Sequence, residues 1–465
     1  MKAASRRKGA LVLPVALAVA SSCSSPAPLP ARLARVHVAH GAIVDADGRT
    51  LLLRGVNVSG AHKAPPFFDF QQPTDFASLR NDWAFNSVRF LVTWAAIEPQ
   101  KGAYDEAYLT KLEEHVGWAE AAGLWVILDM HQDVYGEGFA AGGGDGAPRW
   151  TCDESRYAAF VPQSPWFFNY LDANVRACVD GFYETPELRA HYTEAWKHVA
   201  ARLASHDHVL GFDVMNEPAW GSYAAQGYEV DRVRPLYEDV VRGVRAVAPR
   251  WLAFLEPGAS RNVGFPTRLT KFPFDDVVYS PHSYDRDAEG GAPFDAAAKR
   301  PKVMELLRSL RDEATSLDAA LWVGEYGAAS DLVGLDAYMD AEFDAAAAVA
   351  AGTCYWAAGR NDGGYSLFDA SGSRKPALFA ALVRPYPDRV AGTLTSYAYD
   401  EATRVLTANI VPDPSLTAPT EFVVPKSVYP NGIAVECGGC QVEEGDGVVN
   451  VHGKAATTMT LSPRP

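Results

Sequence analysis

Hydrophobic positions along the chain switch between two spacings over residues 36–384, then settle into a third. Short apolar runs that suit buried strands alternate with stretches whose apolar residues recur every three or four positions, the pattern of an amphipathic helix. The stretch AIVDADGRTLLLRGVNVSG reads as a hairpin with Asp-Gly near its turn, feeding a first barrel strand that ends at Asn57. FASLRNDWAF is helical, NSVRFLV is a second strand carrying Arg89, residues 104–122 are helical, and LWVILDM is a third strand ending on His131-Gln132-Asp133. A long connection over 134–183 follows, glycine-rich at first (GEGFAAGGGDGAPRW) and aromatic later (PWFFNYL); loops of that length are usually functional or carry short elements. Helical stretches at 186–205, 236–247, 302–316 and 337–351 lead into the fourth, fifth, seventh and eighth strands, VLGFDVM, WLAFLEPG, LWVGEYG and GTCYWAA, with VVYSPHSY as the sixth. Eight strands alternating with helices are the count of a (β/α)8 TIM barrel, an α/β fold. Beyond Pro385 the helical period disappears, and GTLTSYAYD, RVLTANIVP, TEFVVP, GIAVEC, GVVNVHG and TTMTLSP predict a small C-terminal antiparallel β-sandwich over 385–465, packed against the barrel.

Two of the strands end in the same way. Val209–Met215 stops on Asn216, Glu217 and Pro218, because proline supplies no ladder N–H and restrains the residue before it. The seventh strand runs straight into Glu325, Tyr326 and Gly327. Either glutamate alone reads equally well as an ordinary strand-end carboxylate. Two of them at the C-terminal tips of well-separated parallel strands supply the acid/base and the nucleophile that chemistry at a sugar's anomeric centre requires.

Charge and the first residues narrow the setting. A formal charge of −15 argues against nucleic acid or a generally anionic surface as the main partner. The basic start MKAASRRKGA and the apolar run LVLPVALAVA, too short to span a bilayer, predict an export signal over 1–23, followed by a Pro/Ala linker over 24–35. Val19-Ala20-Ser21-Ser22-Cys23 resembles a lipoprotein signal, so the expectation is an exported chain, either membrane-anchored through a lipidated Cys23 or secreted. Of the remaining cysteines, Cys354 lies in a strand and reads as a buried thiol. Cys152 and Cys178 bracket one loop and could be bridged. Cys437-Gly-Gly-Cys440 reads as a disulfide across a hairpin tip, since no second Cys or His pair follows to complete a zinc site.

Arg89 on strand two, His131 on three, Asn216 and Glu217 on four, His282 and Tyr284 on six, Glu325 on seven and Trp356 on eight would converge on one face of the barrel. That series, in that strand order, resembles glycoside hydrolase family 5. RGVNVSGAHKAPP, LDMHQDVYGEGF, GDGAPRW, the Asn-Glu-Pro stretch and TEFVVP are similar to its endoglycoceramidase branch, while the glycine run 142–144 and the candidate disulfide in the long loop depart from it. The resemblance implies retaining cleavage of the β-linkage between glycan and ceramide in glycosphingolipids, with no cofactor, no metal and no protein partner. It implies Glu325 as ionised nucleophile, held anionic by Arg89 and Tyr284, and Glu217 as acid/base, kept protonated by the neighbouring anion. Asn216 would donate to the sugar 2-hydroxyl, His131, Asp133 and Lys63 would bind other hydroxyls, Trp356 would floor a sugar ring, and His282 would orient Glu217 or the leaving group. Arg89 could equally be a buried structural ion pair, His282 a satisfied core histidine and Trp356 barrel packing.

The aromatics of Pro65-Pro66-Phe67-Phe68, Trp166-Phe167-Phe168, Phe272 and Phe274 would either offer a membrane or micelle surface to a glycolipid substrate or pin long loops to the barrel. The competing activities are a β-glucosidase of simple glycolipids such as glucosylceramide or steryl glucoside, and an endo-β-glucanase. A metal-dependent hydrolase using His131, Asp133 and His282 is less well served, because the first strand lacks a His-x-His.

Overall fold

A computed structural model describes Met1 and residues 35–464 other than 60, 69, 361–363 and 454–456. The export signal, Cys23 and almost all of the linker lie outside the described residues. The eight expected strands are Arg54–Val58, Ser87–Val92, Trp125–Met130, Val209–Asp213, Leu252–Leu255, Val277–Tyr279, Ala320–Tyr326 and Gly352–Tyr355. Each pairs in parallel with the next, and the eighth pairs with the first, so the barrel closes. The sixth is interrupted at Ser280-Pro281 and resumes as His282–Ser283, whose His282 pairs with Glu325 of the seventh. That register sets a histidine beside a candidate catalytic carboxylate.

Inward-facing positions follow the strand period of two and change character along it. At the N-terminal end the interior is filled by Ile127, Leu210, Leu252, Phe254, Val278, Trp322 and Cys354, closed from below by Ile43 and Leu51. Further along, the same parity continues from Ile127 to Asp129 and His131, from Phe254 to Glu256, and from Cys354 to Trp356. An apolar plug thus gives way to a charged layer at the C-terminal mouth.

The connection at 134–183 is not one loop. It contains the helices Glu154–Ala159 and Ala173–Glu184 and is tied by a Cys152–Cys178 disulfide. Gly146 turns it back on itself with φ of 108°, and a Cβ there would stand 2.5 Å from the Cβ of Gln132, so only glycine permits the approach. Cys437 and Cys440 are bonded to each other, and Cys354 is a buried free thiol. Among the described residues no helix is long and apolar enough to cross a membrane.

The N-terminal hairpin does more than lead into the barrel. His37–Ala39, Ala42–Val44 and Thr50–Leu51 join Tyr386–Val390, Thr420–Val423, Val448–His452 and Gln441–Glu444 in one seven-stranded antiparallel sheet, beside a second sheet of four strands. Strands that precede the barrel and strands that follow it therefore share a sheet. Asn86 fastens the joint: its Oδ1 accepts the Arg54 N–H at 2.7 Å, and its Nδ2 donates to Leu52 O at 2.8 Å and to Asp388 Oδ1 at 2.6 Å. Asn86 is 2% exposed, so water cannot replace these bonds. Asn86→Ala is expected to lower the unfolding free energy by about 2–3 kcal/mol in urea denaturation, the cost of stranding buried polar groups; a loss below about 0.5 kcal/mol would show that the joint does not depend on this amide.

Candidate active site

The mouth of the barrel is built around Arg89, whose side chain is fully buried. Its guanidinium donates to Asn57 Oδ1 at 3.0 Å, Asp213 Oδ2 at 3.1 Å, Asn216 Oδ1 at 3.0 Å, Glu256 Oε1 at 2.8 Å and Glu325 Oε1 at 2.8 Å, and lies 2.9 Å from Asp129 Oδ1. Burial disfavours the charge, but four surrounding carboxylates outweigh it and push its pKa well above the ordinary range. Glu325 is held on both oxygens: Arg89 takes Oε1 and the Tyr284 hydroxyl donates to Oε2 at 3.0 Å.

Glu217 stands opposite. Its backbone lies in the left-handed region at φ of 38°, with its N–H donated to Glu256 Oε2 at 2.9 Å and its carbonyl accepting Gln132 Nε2 at 2.9 Å. On the side chain, Oε1 accepts from Asn262 Nδ2 at 2.6 Å and lies 2.7 Å from His282 Nδ1. The same His282 nitrogen is 3.6 Å from Glu325 Oε2, and each of the three side chains offers an atom within 4.8 Å of the others. One oxygen of each carboxyl thus lies within 4.8 Å of the other, nearer the roughly 5–5.5 Å typical of retention than the roughly 6.5–9.5 Å of inversion.

A second cluster adjoins this pair. His131 Nδ1 is fixed by Asp129 Oδ2 at 2.7 Å, and its ring lies parallel to the Trp356 indole with centroids 5.4 Å apart. Lys63 Nζ lies 4.8 Å above the same indole and donates to Asp133 Oδ2 at 2.5 Å, with Asp145 Oδ2 at 3.8 Å. The carboxylates that could hold a metal with His131 are thus already served by a lysine ammonium. All ten of the residues singled out in the sequence, Lys63, Arg89, His131, Asp133, Asn216, Glu217, His282, Tyr284, Glu325 and Trp356, come together in this one network.

Others escaped the sequence reading. Asn57, Asp129 and Glu256 follow the inward parity of their strands and could have been found by it, whereas Asp213 is brought inward by a register shift after Val209 that the sequence does not signal. Asn262 and Asp145 come from loops and carry no such signal. Tyr170 faces Asp133 and Glu217 from the aromatic stretch of the long connection; burial raises its hydroxyl far above the usual range and both carboxylates add to the effect.

The pKa shifts of the two glutamates run in the opposite sense to expectation. Burial raises Glu325, and the opposing pull of His282 and Arg89 does not cancel it. Burial also raises Glu217, but the His282 hydrogen bond and charge more than reverse it, leaving its pKa below the ordinary value. The physical reason is distance: His282 stands 2.7 Å from Glu217 and 3.6 Å from Glu325. Both directions favour the proton of the Glu217–His282 pair on the imidazole rather than on the carboxyl. The loop aromatics also divide. Phe68 and Phe272 are buried, and Phe67 and Phe274 pack against the core. Trp166, Phe167 and Phe168 are 48%, 43% and 42% exposed.

A closed parallel barrel with two facing acids at its C-terminal mouth defines a hydrolase of glycosidic bonds. The cellulase model of glycosyl hydrolase family 5 matches residues 44–362, and that family's C-terminal domain model matches 384–461. The chain belongs to glycoside hydrolase family 5 and is a retaining glycoside hydrolase. It is similar to endoglycoceramidase I of Rhodococcus hoagii, 29% identical over 90% of this chain and 86% of the relative. It is also similar to the solved structure of endo-glycoceramidase II from Rhodococcus sp., 31% identical over 91% of this chain and 99% of that one, with a TM-score of 0.82. A glucosylceramidase of Aspergillus fumigatus is 28% identical over 40% of this chain and 32% of its own length.

The Lys63 cluster yields a test of its electrostatics. Burial, only partly offset by Lys63, pushes the Asp145 carboxyl up to about 7, against about 3.9 in an unfolded chain. Folding takes up a proton here, so the contribution to stability is complete below about pH 4 and is lost as pH climbs through about 7. Asp145→Asn needs no proton, and its stability relative to the parent protein is expected to improve by about 1–2 kcal/mol between about pH 5 and about pH 8 in urea unfolding. A difference independent of pH would mean that Asp145 is ionised throughout.

Proposed function

We propose that this protein hydrolyses the β-glycosidic bond between the glycan and the ceramide of glycosphingolipids. The observation that carries the reading is the pairing of Glu217 and Glu325 across one cleft in a chain that matches endoglycoceramidases along nine-tenths of its length. One of those solved structures holds ganglioside GM3 and another a lactosyl-enzyme intermediate. In the proposed mechanism Glu325, oriented by Arg89 and Tyr284, attacks the anomeric carbon. A proton from the Glu217–His282 pair goes to the departing ceramide oxygen, leaving a glycosyl ester on Glu325. Glu217 then takes a proton from water, which attacks the ester, releases the glycan with retained configuration and restores the pair.

The remaining residues follow from their geometry. Arg89 holds Asn216 by its Oδ1 and one amide N–H donates to Gln132 O at 3.2 Å, which leaves the second N–H for the sugar 2-hydroxyl, a contact that tightens in the transition state. Lys63, Asp133 and His131 gather charged hydrogen-bonding groups above the Trp356 indole, suited to a ring that presents hydroxyls at its edge and C–H groups at its face. The exposed Trp166, Phe167 and Phe168 support contact with a membrane or micelle carrying the substrate. Export, with anchoring through Cys23 or release, is proposed on the N-terminal sequence. Hydrolysis of simple glycolipids such as glucosylceramide is the second reading, favoured by the similarity to a glucosylceramidase.

Incubation with a panel of glycosphingolipids, with released pieces identified by mass spectrometry, is expected to give intact oligosaccharide and ceramide from lactosylceramide or a ganglioside. Cleavage confined to monosaccharide lipids would favour the second reading. Glu325→Gln and Glu217→Gln are each expected to slow the reaction by about a thousandfold or more, and unchanged turnover in either would remove that residue from its role.

A further inference from the structure

We propose that Glu256 is a positioning residue of the reaction, holding the Glu217 backbone in its turn and fixing the His282 ring against the Glu217 carboxylate. This rests on the reading of Glu217 as acid/base. Glu256 stands just beyond the fifth barrel strand, Leu252–Leu255, at the inward position that follows Leu252 and Phe254. It is 2% exposed. Both of its oxygens are engaged: Oε2 accepts the Glu217 N–H at 2.9 Å, and Oε1 accepts Arg89 Nη2 at 2.8 Å and lies 3.2 Å from His282 Nε2.

Glu217 needs such support. A side-chain-bearing residue at φ of 38° persists only where its surroundings over-determine it. Gln132 holds the Glu217 carbonyl, and the Tyr228 hydroxyl holds the carbonyl of Pro218 at 2.9 Å. Of the groups gripping this turn, Glu256 is the one that also reaches the imidazole beside the acid. One carboxylate thus holds the main chain of Glu217 by a hydrogen bond and the ring that shares its proton by an ion pair at 3.2 Å.

Charge follows the same path. His282 is flanked by Glu217 and Glu325 on Nδ1 and by Glu256 on Nε2, with Asp213 and the Arg89 cation behind them. Around Glu217 stand Asp133 from the third strand, Asn262, Arg286 and, further out, Glu289. Burial would lower His282, but the negative charges of Glu256 and Glu325 outweigh it and raise the ring far above its usual range. Neutralising Glu256 weakens the hold of the Glu217–His282 pair on its shared proton.

Steady-state kinetics on an alkyl β-lactoside, whose leaving oxygen needs a proton, and a dinitrophenyl β-lactoside, whose leaving oxygen does not, test this. Glu256→Gln is expected to lower kcat/KM for the alkyl substrate by about tenfold to a hundredfold, with KM little changed, and to leave the dinitrophenyl substrate within about threefold. Its kcat/KM profile on the alkyl substrate should lose its basic limb at a pH lower by about one unit. Equal losses on both substrates with an unmoved limb would overturn the proposal in favour of a merely structural role. Glu256→Asp keeps the charge but withdraws the oxygen from the Glu217 amide, so the alkyl rate should fall while the limb stays; parent-like rates would also overturn it, and this variant decides if Glu256→Gln does not fold. Glu217→Gln run alongside separates the two claims, because a loss there that ignores the leaving group would sink the acid/base reading itself.

Discussion

Everything at the barrel mouth depends on one buried cation. Arg89 contacts Asn57 of the first strand, Asp129 of the third, Asp213 and Asn216 at the end of the fourth, Glu256 beyond the fifth and Glu325 of the seventh. Burying a guanidinium costs several kcal/mol before any partner is counted, and removing one partner from such a cluster typically costs about 3–5 kcal/mol. The network therefore adds little net stability, yet it is unforgiving about arrangement. Strand ends that carry the candidate catalytic groups are locked to a common centre, which is what a reaction sensitive to sub-ångström placement requires.

The same centre governs the proton economy. Asp129, Asp213, Glu256 and Glu325 surround a single guanidinium, and Asp213 responds by holding its proton far above the ordinary range, burial being the largest cause and Glu256 the next. His282 and His131 carry positive charge for the same reason, His131 being raised to about 10 by Asp129 and Asp133 against burial and Lys63. An excess of buried acid thus keeps two imidazoles charged at neutral pH. In the proposed mechanism a protonated ring against the Glu217 carboxylate makes the pair, rather than the carboxyl alone, the donor that the leaving oxygen meets.

Much of this was legible in the sequence because the barrel writes its function at fixed places. The eight strands announce themselves as apolar runs, and a polar residue just past the end of such a run is at the C-terminal face by construction, which is how Glu217, Glu325, His131 and Trp356 were found. Glu256 obeys the same rule in WLAFLEPG, but a lone strand-end glutamate has no pattern to distinguish it. What the sequence could not disclose was which charges would meet. The expected protonated Glu217 assumed that Glu325 would be its main neighbour, whereas the strand register brings His282 closer. Long-range joints were equally silent: nothing in residues 37–51 reveals that their strands complete a sheet with residues 386–390 and beyond.

The long connection after the third strand shows why loop function is harder to read than strand function. Its aromatics look alike in the sequence but serve opposite ends. Tyr170 is drawn inward until its hydroxyl faces Asp133 and Glu217, while Trp166, Phe167 and Phe168, a few residues away, stay in solvent. Asn169 makes the division possible: wholly buried, it accepts the Gln163 N–H at 2.7 Å and donates to Gly142 O at 2.9 Å and Trp166 O at 2.8 Å, pinning one short turn to the glycine-rich segment. Exposed apolar rings and a buried polar tip thereby belong to one hydrogen-bonded piece. For a hydrolase whose proposed substrate has its head in the cleft and its tail in a lipid phase, that piece ties the surface that would meet the lipid to the wall that would meet the sugar.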